Sequence, residues 1–312
     1  MSLFPKNLNE FVASMGIPRG PKSKAYVVDP VNGSDSNPGT NWLAPLLTLT
    51  EAEDRCVGDR HDAVLFLSGD TEDHPTEAIV WDKDYTHLIG LSSGVYGLGQ
   101  RCRVVAQASA EISPVISFTG NGNIVKNMQF YNEKAAGAAA GCVIITGMRS
   151  YFENVFFMAP IATDVGSYSL KHAGAENVFK RCTIGQYTNH RSAASRGLWL
   201  HKGAGASVCR SKFVKCEFLS WGSADHVHIL IDNDIAVIPW MVQFEDCLFA
   251  TATGGTAALA QAIDDNSTAT GHQVLLLGKN SFAGCNVVAD TLTYILTQTY
   301  FHGGLMAALA EN

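Results

Sequence analysis

Val125-Lys-Asn-Met128-Gln-Phe130 and Phe152-Glu-Asn-Val155-Phe-Phe157 are two copies of one pattern: an apolar residue, two polar ones, an apolar one, any residue, then a large apolar one. The pattern returns as Phe179-Lys-Arg-Cys182-Thr-Ile184, Phe213-Val-Lys-Cys216-Glu-Phe218 and Phe244-Glu-Asp-Cys247-Leu-Phe249, and more weakly as Phe282-Ala-Gly-Cys285-Asn-Val287. Successive first positions lie 27, 27, 34, 31 and 38 residues apart. Each copy is too short for a helix, and its second half alternates apolar with polar, the period of a half-buried strand. A strand that recurs at this interval, with inserts of variable length, fits one coil of a β-solenoid. Each coil must travel around the cross-section and return one strand spacing, about 4.8 Å, further along the axis. The fold class expected is all-β, a right-handed parallel β-helix.

Two further expectations come from the register of the copies. The third position, Asn127, Asn154, Arg181, Lys215 and Asp246, falls at or just outside a corner, where Asn and Asp tolerate left-handed backbone. Cys182, Cys216, Cys247 and Cys285 share the fourth position and should stack as an inward-facing ladder of free thiols. Thiolates stacked along one wall do not converge tetrahedrally on an ion, so the ladder reads as structural rather than as a metal site.

The composition suits such a core. Of 312 residues, 46% are apolar and 16% charged, and the formal net charge of -7 leaves no general basic footprint for nucleic acid. The eight cysteines are dispersed without any Cys-x-x-Cys pair, which favours reduced thiols. No 18-residue apolar stretch and no signal-peptide pattern occur, so the chain is expected to be made in the cytoplasm and to span no membrane.

The ends differ from the middle. Residues 1–24, with Lys6, Arg19, Lys22 and Lys24 against the single Glu10, read as an N-terminal arm, either frayed or a docking element. A β-helix domain is expected over 25–300. Within it, Thr50-Glu-Ala-Glu53 reads as the capping box of a short helix near 50–57 that shields the first coil. Residues 301–312 include the apolar tail Leu305-Met-Ala-Ala-Leu-Ala310, a candidate subunit contact.

Val28-Asp29-Pro30 with Asn32-Gly33-Ser34-Asp35, then Trp42, Pro45 and the helix signal, resembles the start of many pectin-lyase-like β-helix proteins. Thr86-His87-Leu88-Ile89-Gly90-Leu91, Gly99-Gln100-Arg101-Cys102-Arg103 and Gly122-Asn123-Ile124-Val125-Lys126-Asn127 look more narrowly like β-helix proteins encoded among the capsid genes of tailed phages. The likeness covers about residues 24 to 290. It implies a virion component, a capsid decoration, cement or head-surface protein, with the major capsid protein or another virion protein as partner. It carries over no catalytic residues and no cofactor.

The rival reading is a polysaccharide-degrading enzyme, because pectin-lyase-like folds carry both lyases and hydrolases, and fold alone does not decide function. A lyase needs clustered carboxylates for Ca²⁺, yet only Asp246 is acidic at the third position of the repeats. A hydrolase needs two carboxylates on adjacent coils. The candidates are Asp232, Asp234, Asp264 and Asp265, more simply read as loop and turn residues, with His226, His228 and His272 nearby in sequence. Asp225-His226-Val-His228 has ligand types suited to a metal, but reads more simply as a surface strand end. The sequence therefore points to a non-enzymatic virion protein without metal or cofactor. It is expected to form a homotrimer, since three solenoids can shield their flanks around one axis.

Overall fold

The computed structural model describes residues 7–67, 69, 72–91, 102–134, 140–158, 165–188, 190, 194–201, 209–222, 224–232, 241–252, 258–266, 274–289 and 295–297. Among the described residues, three parallel sheets of ten, seven and eight strands stack along the coil axis. One coil visits them in turn: Ile124–Lys126 in the first sheet, Gln129–Asn132 in the second and Gly141–Ile145 in the third, before Tyr151–Glu153 pairs back onto Ile124–Lys126. The fold is a right-handed parallel β-helix. No helix among the described residues is long and apolar enough to cross a membrane.

In-register pairing stacks like on like, and this is why the repeat was visible. Val125, Phe152, Phe179, Phe213, Phe244 and Leu276 form one inward row on the first sheet. Phe130, Phe157, Ile184, Phe218, Phe249 and Phe282 form the facing row on the second. Their rings lie almost parallel: Phe179 and Phe213 have centroids 4.4 Å apart at 3°, and Phe213 and Phe244 are 4.9 Å apart at 11°. The strand spacing thus sets a stacking distance close to the favourable one.

The corner between the first and second sheets is built from the third position of the repeat. Asn127, Asn154, Arg181, Lys215 and Asp246 all have φ between +52° and +56° in the left-handed region. The two asparagines offset that strain locally, because Asn154 Nδ2 donates to Asn127 Oδ1 at 2.9 Å. The next residue turns inward. Cys182, Cys216 and Cys247 are fully buried, and their thiols donate to the carbonyls of Phe152, Phe179 and Phe213 in the preceding coil at 3.4 to 3.5 Å. Cysteine serves there because it packs as a small apolar group and still offers a weak donor. All eight cysteines are free.

Cys285 does not join this ladder. The last corner holds three residues, Gly278, Lys279 and Asn280, where the five before it hold two, so Asn280 takes the ladder position and its Oδ1 accepts from Cys247 N–H at 2.9 Å. Phe282 consequently stacks on Phe249, 4.6 Å away, in the second sheet, and Cys285 opens the third-sheet strand Cys285–Ala289, opposite Leu259 and only partly buried.

The N-terminal end is closed by the helix Leu49–Arg55, whose Leu49 and Ala52 join the main core. Its cap is Thr48 rather than Thr50: Thr48 Oγ1 accepts from Glu51 N–H, and the Asp35 carboxylate fixes Thr48 through its N–H and hydroxyl. Glu53 is buried and bonds Lys83 at 2.7 Å instead of reaching back to the cap. From residue 7 onward, the segment read as an arm packs on the chain itself. Leu8 and Val12 of the helix Leu8–Ser14, with Ile17, are buried against Ala25, Val27, Ala63, Leu65 and Ile89 of the first sheet. Arg19 Nη1 donates to the His61 carbonyl at 2.6 Å, while Lys22 and Lys24 are exposed. Lys6 and the tail 301–312 lie outside the described residues.

Candidate functional site

In the third sheet the strand Arg196–Leu200 pairs with Tyr168–His172 on one side and Val227–Ile231 on the other. The register joins Arg196 to Tyr168 and Val227, and Trp199 to Lys171 and Leu230, at a constant offset. A Cβ on Gly197 would lie 2.8 Å from the His228 carbonyl, so the close approach at that point favours glycine. Residues three apart on a regular strand face opposite ways, yet the Arg196 guanidinium lies over the Trp199 ring at 4.5 Å.

Around this ring the outer flank gathers its chemistry. Lys171 Nζ, from the preceding coil, lies 3.9 Å from the Trp199 centroid, and the rings of Tyr168 and His201 meet it edge-on at 5.5 and 4.9 Å. Asp232, from the following coil, accepts from Trp199 Nε1 at 2.9 Å, and His201 Nδ1 lies 2.5 Å from the same oxygen. Burial lowers the pKa of both Lys171 and Arg196, while the Asp232 charge acts in the opposite direction on each.

Among the described residues, the hydrolase candidates Asp232, Asp264 and Asp265 are held differently from one another. Asp232 is buried and already bonded to Trp199, with His201 against it. Asp264 pairs with Leu230, one coil further and two residues out of register from Asp232, which puts the two Cα atoms about 8 Å apart. Its Oδ2 accepts from Asn266 Nδ2 at 3.0 Å. Asp265 follows the register of Leu200 and Ile231, both core residues, and so has the opposite parity from Asp264. Asp234 and His272 lie outside the described residues.

The histidines read as a surface strand end are inside. His226 Nδ1 lies 2.8 Å from Ser195 Oγ and His228 Nε2 lies 3.1 Å from Thr251 Oγ1, while Asp225 is exposed. His172 repeats the arrangement with Ser211 Oγ at 3.0 Å. These are imidazole–hydroxyl pairs within the core, and among the described residues no group of three or more His, Cys, Asp or Glu could hold a metal ion.

Among solved structures the chain is similar to a pectin methylesterase in complex with a hexasaccharide, at TM-score 0.57 and 14% identity over 84% of this chain and 80% of that one. It is similar to the pectate lyase Pel9A at TM-score 0.56 and 14% identity, covering 90% and 80% of the two chains. Pectin methylesterase PemA from Erwinia chrysanthemi matches at TM-score 0.55 and 13% identity, covering 85% and 80%. The chain has the pectin-lyase-like fold. At these identities the likeness extends to the fold alone. No family model and no curated protein matches it.

Within this pectin-lyase-like β-helix, Asp232 was legible in the sequence as a candidate, whereas Lys171, Arg196, Trp199 and His201 were not. The signal that could have found them is the coil length. Counting one coil back from Asp232 gives His201, and from Leu230 gives Trp199 and then Lys171.

Proposed function

We propose that this chain is a non-enzymatic structural protein of a phage virion, a rigid β-helix displayed at the head surface as a decoration or cement, in three copies around one axis. The reading draws its virion context from the resemblance of Thr86–Leu91 and Gly122–Asn127 to capsid-gene β-helix proteins. The observation that carries the non-enzymatic half is the engagement of Asp232: its Oδ2 faces both Trp199 Nε1 and His201 Nδ1, which leaves it poorly placed to pass a proton to a leaving group. Long rows of stacked rings and parallel pairing suit a rod that bears load rather than a cleft that closes on substrate.

A second reading is an enzyme acting on polysaccharide. It is favoured by the cluster of Lys171, Arg196, His201 and Asp232 on one flank and by the esterases and lyases that share the fold. The two separate in one experiment. Purified protein is incubated with pectin, polygalacturonate and host capsule or lipopolysaccharide, with reducing ends, unsaturated products and methanol measured, while purified particles are assayed for the chain by quantitative mass spectrometry. The expected result is no product and a fixed copy number per particle. Turnover that Asp232→Asn abolishes overturns the structural reading.

A further inference from the structure

Lys171 and Arg196 present an imbalance that the rod itself does not use. Both are part-buried, and among the described residues neither makes a hydrogen bond or an ion pair with a carboxylate. A desolvated cation is costly unless a counter-charge meets it. The carboxylates whose charge reaches them, Asp232 for both and Asp264 for Arg196, put their hydrogen bonds into other groups: Asp232 faces Trp199 and His201, and Asp264 accepts from Asn266. What holds the two cations is the Trp199 ring, at 3.9 Å from Lys171 Nζ and 4.5 Å from Arg196 Cζ. A cation over an aromatic face is attracted to the ring without losing its charge or its N–H donors.

We propose that the flank around Trp199 is an oxyanion-binding site in which Arg196 and Lys171 grip a carboxylate or phosphate group of a ligand. Arg196 supplies a planar fork suited to two oxygens, and Lys171 supplies a compact charge from the neighbouring coil. Trp199 is a positioning residue: it brings the two cations to one ring, and its own orientation is set by the Nε1 bond to Asp232 and the edge contacts of Tyr168 and His201. Sites of this kind are made by pre-placed donors on rigid strands, and here two consecutive coils provide the donors while Asp232 of the next coil orients the ring between them. The inference stands apart from the virion reading, since an anion can be gripped by a structural protein or an enzyme alike.

Two probes distinguish the sources of such a group. The full chain is titrated by calorimetry with inorganic phosphate and, separately, with glucuronate, against sodium chloride at matched ionic strength. Saturable binding of either probe above the chloride control is the expected result. Glucuronate alone points to sugar acids, and phosphate alone to phosphorylated ligands. Lys171→Gln and Arg196→Gln should each weaken binding by about tenfold, which corresponds to about 1.4 kcal/mol, and Trp199→Leu should weaken it although neither cation that grips the anion is removed. Thermal unfolding without ligand reports whether each variant is folded, and Lys171→Gln, the less buried of the two, keeps the test valid if Arg196→Gln is not. Absence of binding to both probes, or binding unchanged in folded Lys171→Gln and Trp199→Leu, overturns the proposal.

Discussion

The coil has two kinds of interior wall. Along the first corner, Phe152, Phe179, Phe213 and Phe244 stack beside Cys182, Cys216 and Cys247, and burial pushes the Cys216 thiol far up. Along the third sheet, His172, His226 and His228 are equally buried but hydrogen-bonded to hydroxyls. Equal burial has different consequences. The first wall depends on volume, whereas the second holds polar groups and, at His172 and His228, depends on the rings staying neutral.

The largest expected effect tests the polar wall. Burial lowers the pKa of His172 and His228 to about 3, and of His87, at the first-sheet flank, also to about 3. In the unfolded chain each titrates near 6.5, so below that pH the unfolded state binds protons that the folded state refuses. Stability is therefore full above about pH 6.5 and falls as pH drops toward 3, by an upper bound of about 4 to 5 kcal/mol per histidine. Urea unfolding at a series of pH values measures the slope, and His172→Gln should flatten it. A flat profile between pH 7 and 4 in the wild type would mean that these rings are hydrated.

Next in size is a break in the dry wall. Phe244 stacks on Phe213 and meets Phe218 and Phe249 at a steep angle, one ring removed from His172, and Phe244→Ala should cost about 3 to 5 kcal/mol, with the acid limb of the stability curve unchanged in slope. If the same substitution alters the pH slope, the two walls are not independent.

The smallest effect sharpens the boundary of the ladder. Cys216→Ser places a more polar hydroxyl among apolar neighbours and should cost about 1 to 3 kcal/mol. In the native protein a thiol reagent should modify the half-buried Cys285 and Cys209 well before Cys182, Cys216 and Cys247. Equal rates across the five would place the ladder outside the core.

These contrasts also show what the sequence could and could not disclose. The repeat was readable because parallel in-register stacking puts like residues at like positions, so Phe179, Phe213 and Phe244 announce themselves, and so do the left-handed corner residues after them. The last copy was misaligned because Phe282 and Cys285 satisfy the pattern in the wrong phase, with Lys279 as the extra residue. The helix cap was missed because Thr48 is selected by Asp35, a contact 13 residues away in the chain. The flank around Trp199 was invisible for a related reason. Its members lie about one coil apart, and Arg196 lies over Trp199 although strand alternation places residues three apart on opposite faces.

The two-residue corner repeated through five successive coils acts as a phase lock. Between the first and second sheets Asn127-Met128, Asn154-Val155, Arg181-Cys182, Lys215-Cys216 and Asp246-Cys247 keep the same length, while the coils that join them vary. The lock lies in the register and not in the length alone, because the step from His87–Leu91 to Arg103–Ala106 is far longer and still brings Cys102 opposite Met128, its thiol donating to the Phe66 carbonyl at 3.2 Å. One added residue, at Gly278-Lys279-Asn280, puts an asparagine in the ladder position, and there the thiol row stops while the phenyl row continues through Phe282. A β-helix of this kind can therefore diversify its flanks and still hold its inward rows in phase, a division of labour that would let a surface change its ligand without retuning the rod beneath it.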